Sequence, residues 1–408
     1  MLSIRKVFYN MKITVAMDSF KGSMTSLEAG NAVKNGILSI HPDAEVDVYS
    51  VADGGEGTVE TLASAHKNEV KNINVYVTGP LGAKIEAEYA IIDDLAIIEM
   101  AAAAGLNLVA EDKRNPLYTT TYGVGEMIRD AILRGCRRFI IGIGGSATND
   151  CGIGMLQALG YRFVDEKGRD VGYGAQGLGK ISDIYFEDVM HELSSCEFMV
   201  ACDVTNPLVG ELGCSRVFAP QKGADAESVQ LMEGYMNRFA DLVEHIAVCD
   251  MGDIHNIWLK KCDKSNGVMI DRTYPGSGAA GGLGYAFLMF LNSTLKSGID
   301  IVLDEIKIEN NIIDSDYVIT GEGKLDLQSI KGKTPIGVAK LAKKYDKKVL
   351  VFAGIVEQGA EAFVKEGLID AYYQIDKKNM SLDEAMIKEN AMNNLKETVS
   401  SIIFKNNV

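Results

Sequence analysis

Short apolar runs in this sequence repeatedly end in a polar or glycine-rich loop, and a helical pattern follows. Ile13–Met17 is followed by DSFKGS and then by helical spacing over Ala29–Ile40. Val46–Ala52 leads into DGGEGT and helical Thr58–Ala65, and Phe139–Ile143 into GGSATND and a helix over Gly152–Leu159. Phe198–Ala201 runs into CDVTNPL, Tyr317–Ile319 into TGEGKLD, and Val349–Phe352 ends at Ala353-Gly354. Such alternation predicts an α/β chain built on parallel strands. In open α/β sheets ligands bind in the crevice beyond the carboxyl ends of the strands. Turning the chain needs only Gly, Asn, Asp and Ser. Asp, Glu and Lys recurring at these tips predict a polar ligand site there.

At 408 residues the chain exceeds what one core usually covers, so two domains are expected. The texture changes around Val77–Met100, where alternating residues and Gly-Pro turns suggest antiparallel hairpins. The parallel pattern returns after GLGYAFLMFLNS. The expected organisation is a discontinuous Rossmann-like domain over 11–76 and 290–408, with a second α/β domain over 77–289 inserted into it. Gln221–Lys264 reads as a charged, helical, solvated face on the insert. Met1–Asn10 shows no pattern and reads as an extension or a mis-called start, with Met11 the true one.

Composition removes several classes. The charge of −15, from 41 basic and 56 acidic residues, and the lack of a Lys/Arg stripe argue against a nucleic-acid partner. The longest apolar run, near Ala286–Leu291, is too short for a bilayer span, so no membrane partner is expected. Lys12 and Asp18 interrupt any signal-peptide core, which predicts a cytoplasmic protein. The seven cysteines form no C-x-x-C pair and read as reduced, mostly buried thiols. The five histidines lack metal-site spacing.

Two glycine loops match a dinucleotide-binding pattern, and a third superficially matches a P-loop. Gly142-x-Gly144-x-x-Ala147 fits the dinucleotide fingerprint, with Asp165 near the distance of a ribose-binding acid. An NAD-dependent oxidoreductase of a small hydroxy acid is therefore one competing reading. Against it, Thr148-Asn149-Asp150 intervene where the fingerprint's helix should start, and suit capping or contact with phosphate or metal better. Gly276-x-Gly278-x-x-Gly281 matches the same pattern, and close helix–backbone packing explains it equally well. GKT at Gly332–Thr334 is no P-loop, because Leu327 stands where the motif needs glycine.

Lys21 lies between a strand tip and a helix start, where it can reach a phosphate; a surface lysine is the bland alternative. Asp18 suits a general base, a metal ligand or an N-cap. Asp53 and Glu56, across a double glycine, can face one point as Mg²⁺ binding needs, or simply cap a turn. Asp203, Asn206, Glu322 and Asp326 add hard oxygen groups. These parts suit phosphoryl transfer, which depends on positioning, cations and backbone laid against phosphate. A non-catalytic sugar-acid sensor would keep such a cleft without turnover, but the array of acids with Lys21 argues against it.

The blocks DSFKGSMTSLEA, VADGGEGTVETL, NPLYTTTYGVGEMI, GIGGSATNDCGIGMLQALG, ACDVTNPLVG, FAPQKGAD, PGSGAAGGLG and DYVITGEGKLDLQSIKGKTPIGVA stand in one order. In that order the chain, from about Met11 to Asp376, resembles the type-1 glycerate kinases. The resemblance implies ATP-dependent phosphorylation of D-glycerate with Mg²⁺. The product is usually 2-phosphoglycerate, although many members are labelled 3-phosphoglycerate formers. It further implies a two-domain fold, a discontinuous parallel three-layer α/β domain with an inserted second α/β domain and the active site in the cleft between them. A monomer or homodimer is expected.

On that reading Lys21 stabilises the transferring phosphoryl group, and Asp18 or Asp203 is the base. Asp53, Glu56 or Asp150 helps hold Mg²⁺. Gly144, Gly145, Ser146, Thr148 and Asn149 lie against ATP phosphates or the glycerate carboxylate. Lys222 in PQKG, with Gly321, Glu322 and Gly323, completes the expected cofactor contacts. The chain departs from the family at Met17, where proline often stands, and at Cys151 and Cys214, which replace small residues. Lys324 stands where arginine is common, and lysine cannot supply a bidentate fork to an anion.

Overall fold

The computed structural model describes residues 11–53, 58–66 and 69–249, Leu259, and residues 269–326, 333–375 and 380–402. The segments 1–10 and 250–258, and Glu56 and Gly332, lie outside the described residues. Thirteen strands run through the described residues in chain order. They are β1 (Lys12–Met17), β2 (Glu45–Ser50), β3 (Lys71–Thr78), β4 (Lys84–Ile92), β5 (Leu95–Glu99), β6 (Arg138–Gly142) and β7 (Arg162–Val164). The others are β8 (Asp183–Tyr185), β9 (Glu197–Ala201), β10 (Ser293–Lys296), β11 (Tyr317–Leu325), β12 (Lys348–Val356) and β13 (Ala371–Gln374). The described residues before 68 and after 296 form one compact unit, and those between form a second. Among the described residues no helix is long and apolar enough to cross a membrane.

The first unit is a five-stranded sheet in the order β13-β12-β11-β1-β2, parallel throughout. Strands of such a sheet are covered on both faces and so read as continuous apolar runs; five of the six residues of β1 are buried. Ile13, Val15 and Met17 point into a core completed by Val33, Ile37, Leu395 and Val399. Those partners come from the helices Ser26–Leu38 and Lys388–Ile402. Thr25 starts the first of these helices through a reciprocal capping box with Glu28. From β1 the chain moves to β2 on one side and later returns as β11 on the other. This reversal makes the carboxyl ends of β1 and β11 a topological switch point, the position where doubly wound sheets bind ligands.

TGEGKLD, read above as a loop, is mostly strand. β11 continues through Leu325 because its backbone pairs with β12 from Tyr317↔Lys348 to Leu325↔Val356. Long-range pairing outweighs the weak strand preference of glycine here.

In the second unit six strands run in the order β10-β9-β6-β5-β4-β3. β3, β4 and β5 form an antiparallel meander, whereas β5, β6, β9 and β10 are parallel. β5 is thus both the end of the hairpin region and the first strand of the parallel set. Phe139 and Phe198 stack across β6 and β9 at 4.7 Å, and Tyr161, Phe287 and Phe290 extend this aromatic core. The charged helical stretch after Gln221 is the helix Ala226–Cys249, whose Met236, Phe239 and Val243 are buried. Cys136, Cys151, Cys196 and Cys214 are buried free thiols.

Candidate active site

At the switch point of the first unit, the backbone N–H of Asp18 donates to the carbonyl of Gly321 at 2.9 Å, fixing the end of β1 beside β11. One Asp18 oxygen accepts from the Ser19 N–H at 2.6 Å, and the other from the Thr334 hydroxyl at 2.6 Å. Burial nevertheless pushes the Asp18 carboxyl up, opposed by those hydrogen bonds and assisted by the nearby negative charge of Asp53. Lys21 projects from a tight turn closed by paired backbone bonds between Phe20 and Met24. The first turn of the following helix is satisfied by Thr25 and Glu28, so Lys21 belongs to the turn and not to the helix terminus. Glu322 lies in β11, 3.9 Å from the ammonium of Lys333, which also reaches Asp326 at 3.3 Å. Lys324 pairs with Glu357 at 2.7 Å.

Asp18, Lys21, Glu322, Lys324 and Lys333 line one cavity of about 360 Å³. Asp18, Lys21, Asp53, Glu322 and Lys333 form its polar side, with Gly323 in its wall, and Phe20, Ile355, Leu382 and Met386 form its apolar side. The volume is in the range of small-ligand sites. Among the described residues no three His, Cys, Asp or Glu side chains make a ready metal cage. Mg²⁺ does not need one, since it binds through one or two carboxylates plus substrate phosphates. Two hard, like-charged carboxylates on one cavity, Asp18 and Asp53, fit that requirement.

The second unit carries the glycine loop after β6. Gly144 and Gly145 are exposed, and their N–H groups, like that of Ser146, have no acceptor among the described residues. The loop is clamped from behind by Met100 N–H to Gly142 O, Leu106 N–H to Gly145 O, and Ala147 N–H to Ala104 O, each 2.8 Å. Outward N–H groups on a fixed glycine turn can cradle an anion.

The rest of the loop turns inward, away from the ligand-facing positions expected of it. Asp150 is fully buried, with one oxygen accepting from the Thr121 N–H and hydroxyl at 2.9 Å and the other from the Gly152 N–H at 3.1 Å. Burial pushes its carboxyl up despite these bonds, so it organises the loop and does not fit a Mg²⁺ ligand. Asn149 is buried and donates to Ser215 at 2.9 Å and to the Met232 sulfur at 3.3 Å. Lys222 is buried too, donating to the Ser146 hydroxyl at 2.8 Å and the Thr148 carbonyl at 2.7 Å. Its ammonium is pushed down to about 8, chiefly by desolvation. Asn149 and Lys222 therefore hold the loop from inside through these bonds, and Thr148 contributes its carbonyl while its hydroxyl is buried. Ser146 is nearly buried and shares that role. Asp203 follows β9 and is exposed, next to the loop by the register Gly142↔Ala201.

The glycerate kinase family model matches residues 13–405. The chain belongs to the glycerate kinase family. It is 44% identical to the glycerate kinase of Bacillus subtilis (strain 168) over 394 residues, covering 96% of this chain and 97% of that protein. It is 43% identical to the glycerate 2-kinase of Escherichia coli (strain K12), covering 92% and 93% of the two chains. A glycerate kinase 2 crystal structure from Salmonella typhimurium LT2 superposes with a TM-score of 0.78 at 41% identity, covering 96% and 97% of the chains. The chain is thus an enzyme of the glycerate kinase family with that family's α/β fold.

Family membership leaves the dinucleotide fingerprint without a role. Asp165 is held in its own turn by Arg169 and the N–H of Lys167, and the helix after the glycine loop starts only at Ile153. In PGSGAAGGLG, a Cβ on Gly281 would overlap the Thr148 carbonyl, so packing explains that glycine. Sequence reasoning overlooked Thr334, Lys333 and Glu99. Thr334 and Lys333 sat inside the rejected GKT motif. Glu99 ends an apolar strand, the same signal used elsewhere, but that strand was grouped with the hairpins.

Proposed function

We propose that this chain is an ATP-dependent, Mg²⁺-requiring kinase that phosphorylates D-glycerate to 2-phosphoglycerate in the cytoplasm. Family membership supports the glycerate kinase activity, and the E. coli relative named glycerate 2-kinase supports the choice of hydroxyl. The observation that carries the assignment of groups is the cavity at the β1/β11 switch point, where Asp18, Asp53, Glu322, Lys21 and Lys333 converge. Asp53 and Asp18 would hold Mg²⁺, which when bound neutralises phosphate charge. Lys21 would stabilise the transferring phosphoryl group, and the apolar wall would offer the nucleoside a dry surface. Gly323 keeps the β11 edge of this cavity free of a side chain, whereas a Cβ on Gly321 would overlap the Phe352 carbonyl, so packing explains that glycine. In the second unit, the N–H groups of Gly144 and Gly145 would receive the glycerate carboxylate. Asp203 would flank it.

The test is ADP release by the purified protein with Mg-ATP and D-glycerate, followed by offering the product to enolase. Direct consumption by enolase is the expected result. Consumption only after phosphoglycerate mutase is added would make the product 3-phosphoglycerate. No ADP release from folded protein would overturn the kinase reading.

A further inference from the structure

Glu99 closes β5 at the same level as the start of the glycine loop, through the register Glu99↔Gly142↔Ala201. Its carboxyl lies against the backbone of Gly142 so closely that a Cβ there would overlap both of its oxygens. Gly142 is thus glycine because the Glu99 carboxylate occupies the space. The exposed Gly144-Gly145 turn begins two residues later, and the backbone bonds of Met100, Ala104 and Leu106 lock the segment after Glu99 to that turn.

Among the described residues, the Glu99 carboxylate has no hydrogen-bond or ion-pair partner. Its side chain is nevertheless reached by solvent. Structural carboxylates in this protein behave differently: Asp150, Asp130 and Asp165 are all engaged by donors. Asp203, the other acid at this edge, is already engaged within the chain. The flanking loop 142–147 and the segment 100–106 carry no titratable group. On the neighbouring strands the ionisable groups are Lys84, Glu86, Glu88 and Tyr89 on β4, Arg138 on β6 and Glu197 on β9, with Cys202 and Asp203 just after β9; of the strand residues only Glu88 lies at the level of Glu99. Surrounding protein pushes the Glu99 carboxyl up to about 7 through desolvation alone. A carboxylate that is accessible, unpartnered and poised near neutrality is suited to accept protons.

We propose that Glu99 is the general base of the phosphoryl transfer, taking the proton from the attacking hydroxyl of a hydroxy acid held by the Gly144-Gly145 turn. The inference rests on the kinase reading given above. In the step, the hydroxyl oxygen forms a bond to the γ-phosphorus, and the bond from that phosphorus to the β–γ bridging oxygen breaks. The bond's electron pair leaves with ADP, and the hydroxyl proton passes to Glu99 and then to water.

The test compares wild type, Glu99→Gln and Glu99→Asp in ADP release with Mg-ATP and D-glycerate across pH 5.5 to 9, with thermal unfolding as the fold control. Glu99→Gln is expected to lower kcat by roughly 100-fold or more, with KM for D-glycerate changed by no more than about threefold. The acid limb of the wild-type kcat/KM profile near pH 7 should vanish in Glu99→Gln and persist in a slower Glu99→Asp. An active wild type with Glu99→Gln within about threefold of it overturns the assignment of the base alone. A KM effect without a kcat effect overturns it as well, since that is binding and not proton transfer. An inactive, folded wild type overturns the kinase reading and the base with it.

Discussion

Thr334 donates its hydroxyl hydrogen to Asp18 at 2.6 Å, joining the end of β1 to the first turn of the helix Thr334–Lys344. The bond spans 316 positions of sequence, so it exists only once β1 and β11 have paired in the sheet. It also fixes which way the Asp18 carboxylate faces in the cavity of the first unit. Replacing Thr334 with valine should cost about 1–2 kcal/mol of stability and lower turnover about tenfold or more. Thr334→Ser should retain most of both. Steady-state kinetics alongside thermal unfolding decides the matter; a valine variant with normal turnover would mean that Asp18 needs no orienting.

Lys21 and Asp53 make separable contributions to the same cavity. Lys21→Ala should reduce kcat by roughly 100-fold or more, as loss of a positioned cation at developing phosphate charge does. Asp53→Asn should instead raise the Mg²⁺ concentration for half-maximal rate by about tenfold. A Mg²⁺ titration of ADP release for each variant separates the two. Near-normal turnover in both Lys21→Ala and Asp18→Asn would remove the cavity from the reaction.

Gly145 has φ +70°, in the region where a β-branched residue is strained. Valine there should cost about 1–3 kcal/mol of stability and raise KM for D-glycerate by about tenfold or more, by twisting the outward N–H groups away. Alanine should lie between, because the nearest neighbour of its Cβ, the Ala101 methyl, is 3.6 Å away. An unchanged KM in a folded Gly145→Val enzyme would show that this turn does not bind substrate.

Lys222 makes a prediction for stability against pH. Its folded value is about 8 against an ordinary 10.5, so between these values the unfolded chain binds more protons than the folded one. Stability contributed by this residue therefore rises with pH from 8 to 10.5, and the gain is lost as pH falls back through 8. The difference in unfolding free energy between wild type and Lys222→Met should climb by up to about 3 kcal/mol over that window. Urea melts at intervals of half a pH unit would reveal it. A flat difference would mean that the Lys222 ammonium is compensated inside the protein.

Six parallel strands and the hairpin region were legible in the sequence, because burial on both faces of a parallel sheet writes apolar runs directly into the chain. So was the gathering of acids, glycines and Lys21 at strand ends, since carboxyl-edge loops are short and local. Tertiary structure decided which of those groups face outward. Asp150, Asn149 and Lys222 look like ligands in sequence, yet Thr121, Ser215 and the Thr148 carbonyl, supplied by other segments, draw them inside. The reverse holds for Glu99, whose accessible carboxylate depends on parallel pairing of β5 with β6 and on the missing Cβ of Gly142. TGEGKLD became strand for a similar reason, as β12 offered its backbone a partner. Local pattern records which residues prefer the interior; which donor meets which acceptor depends on strands brought together from hundreds of residues apart.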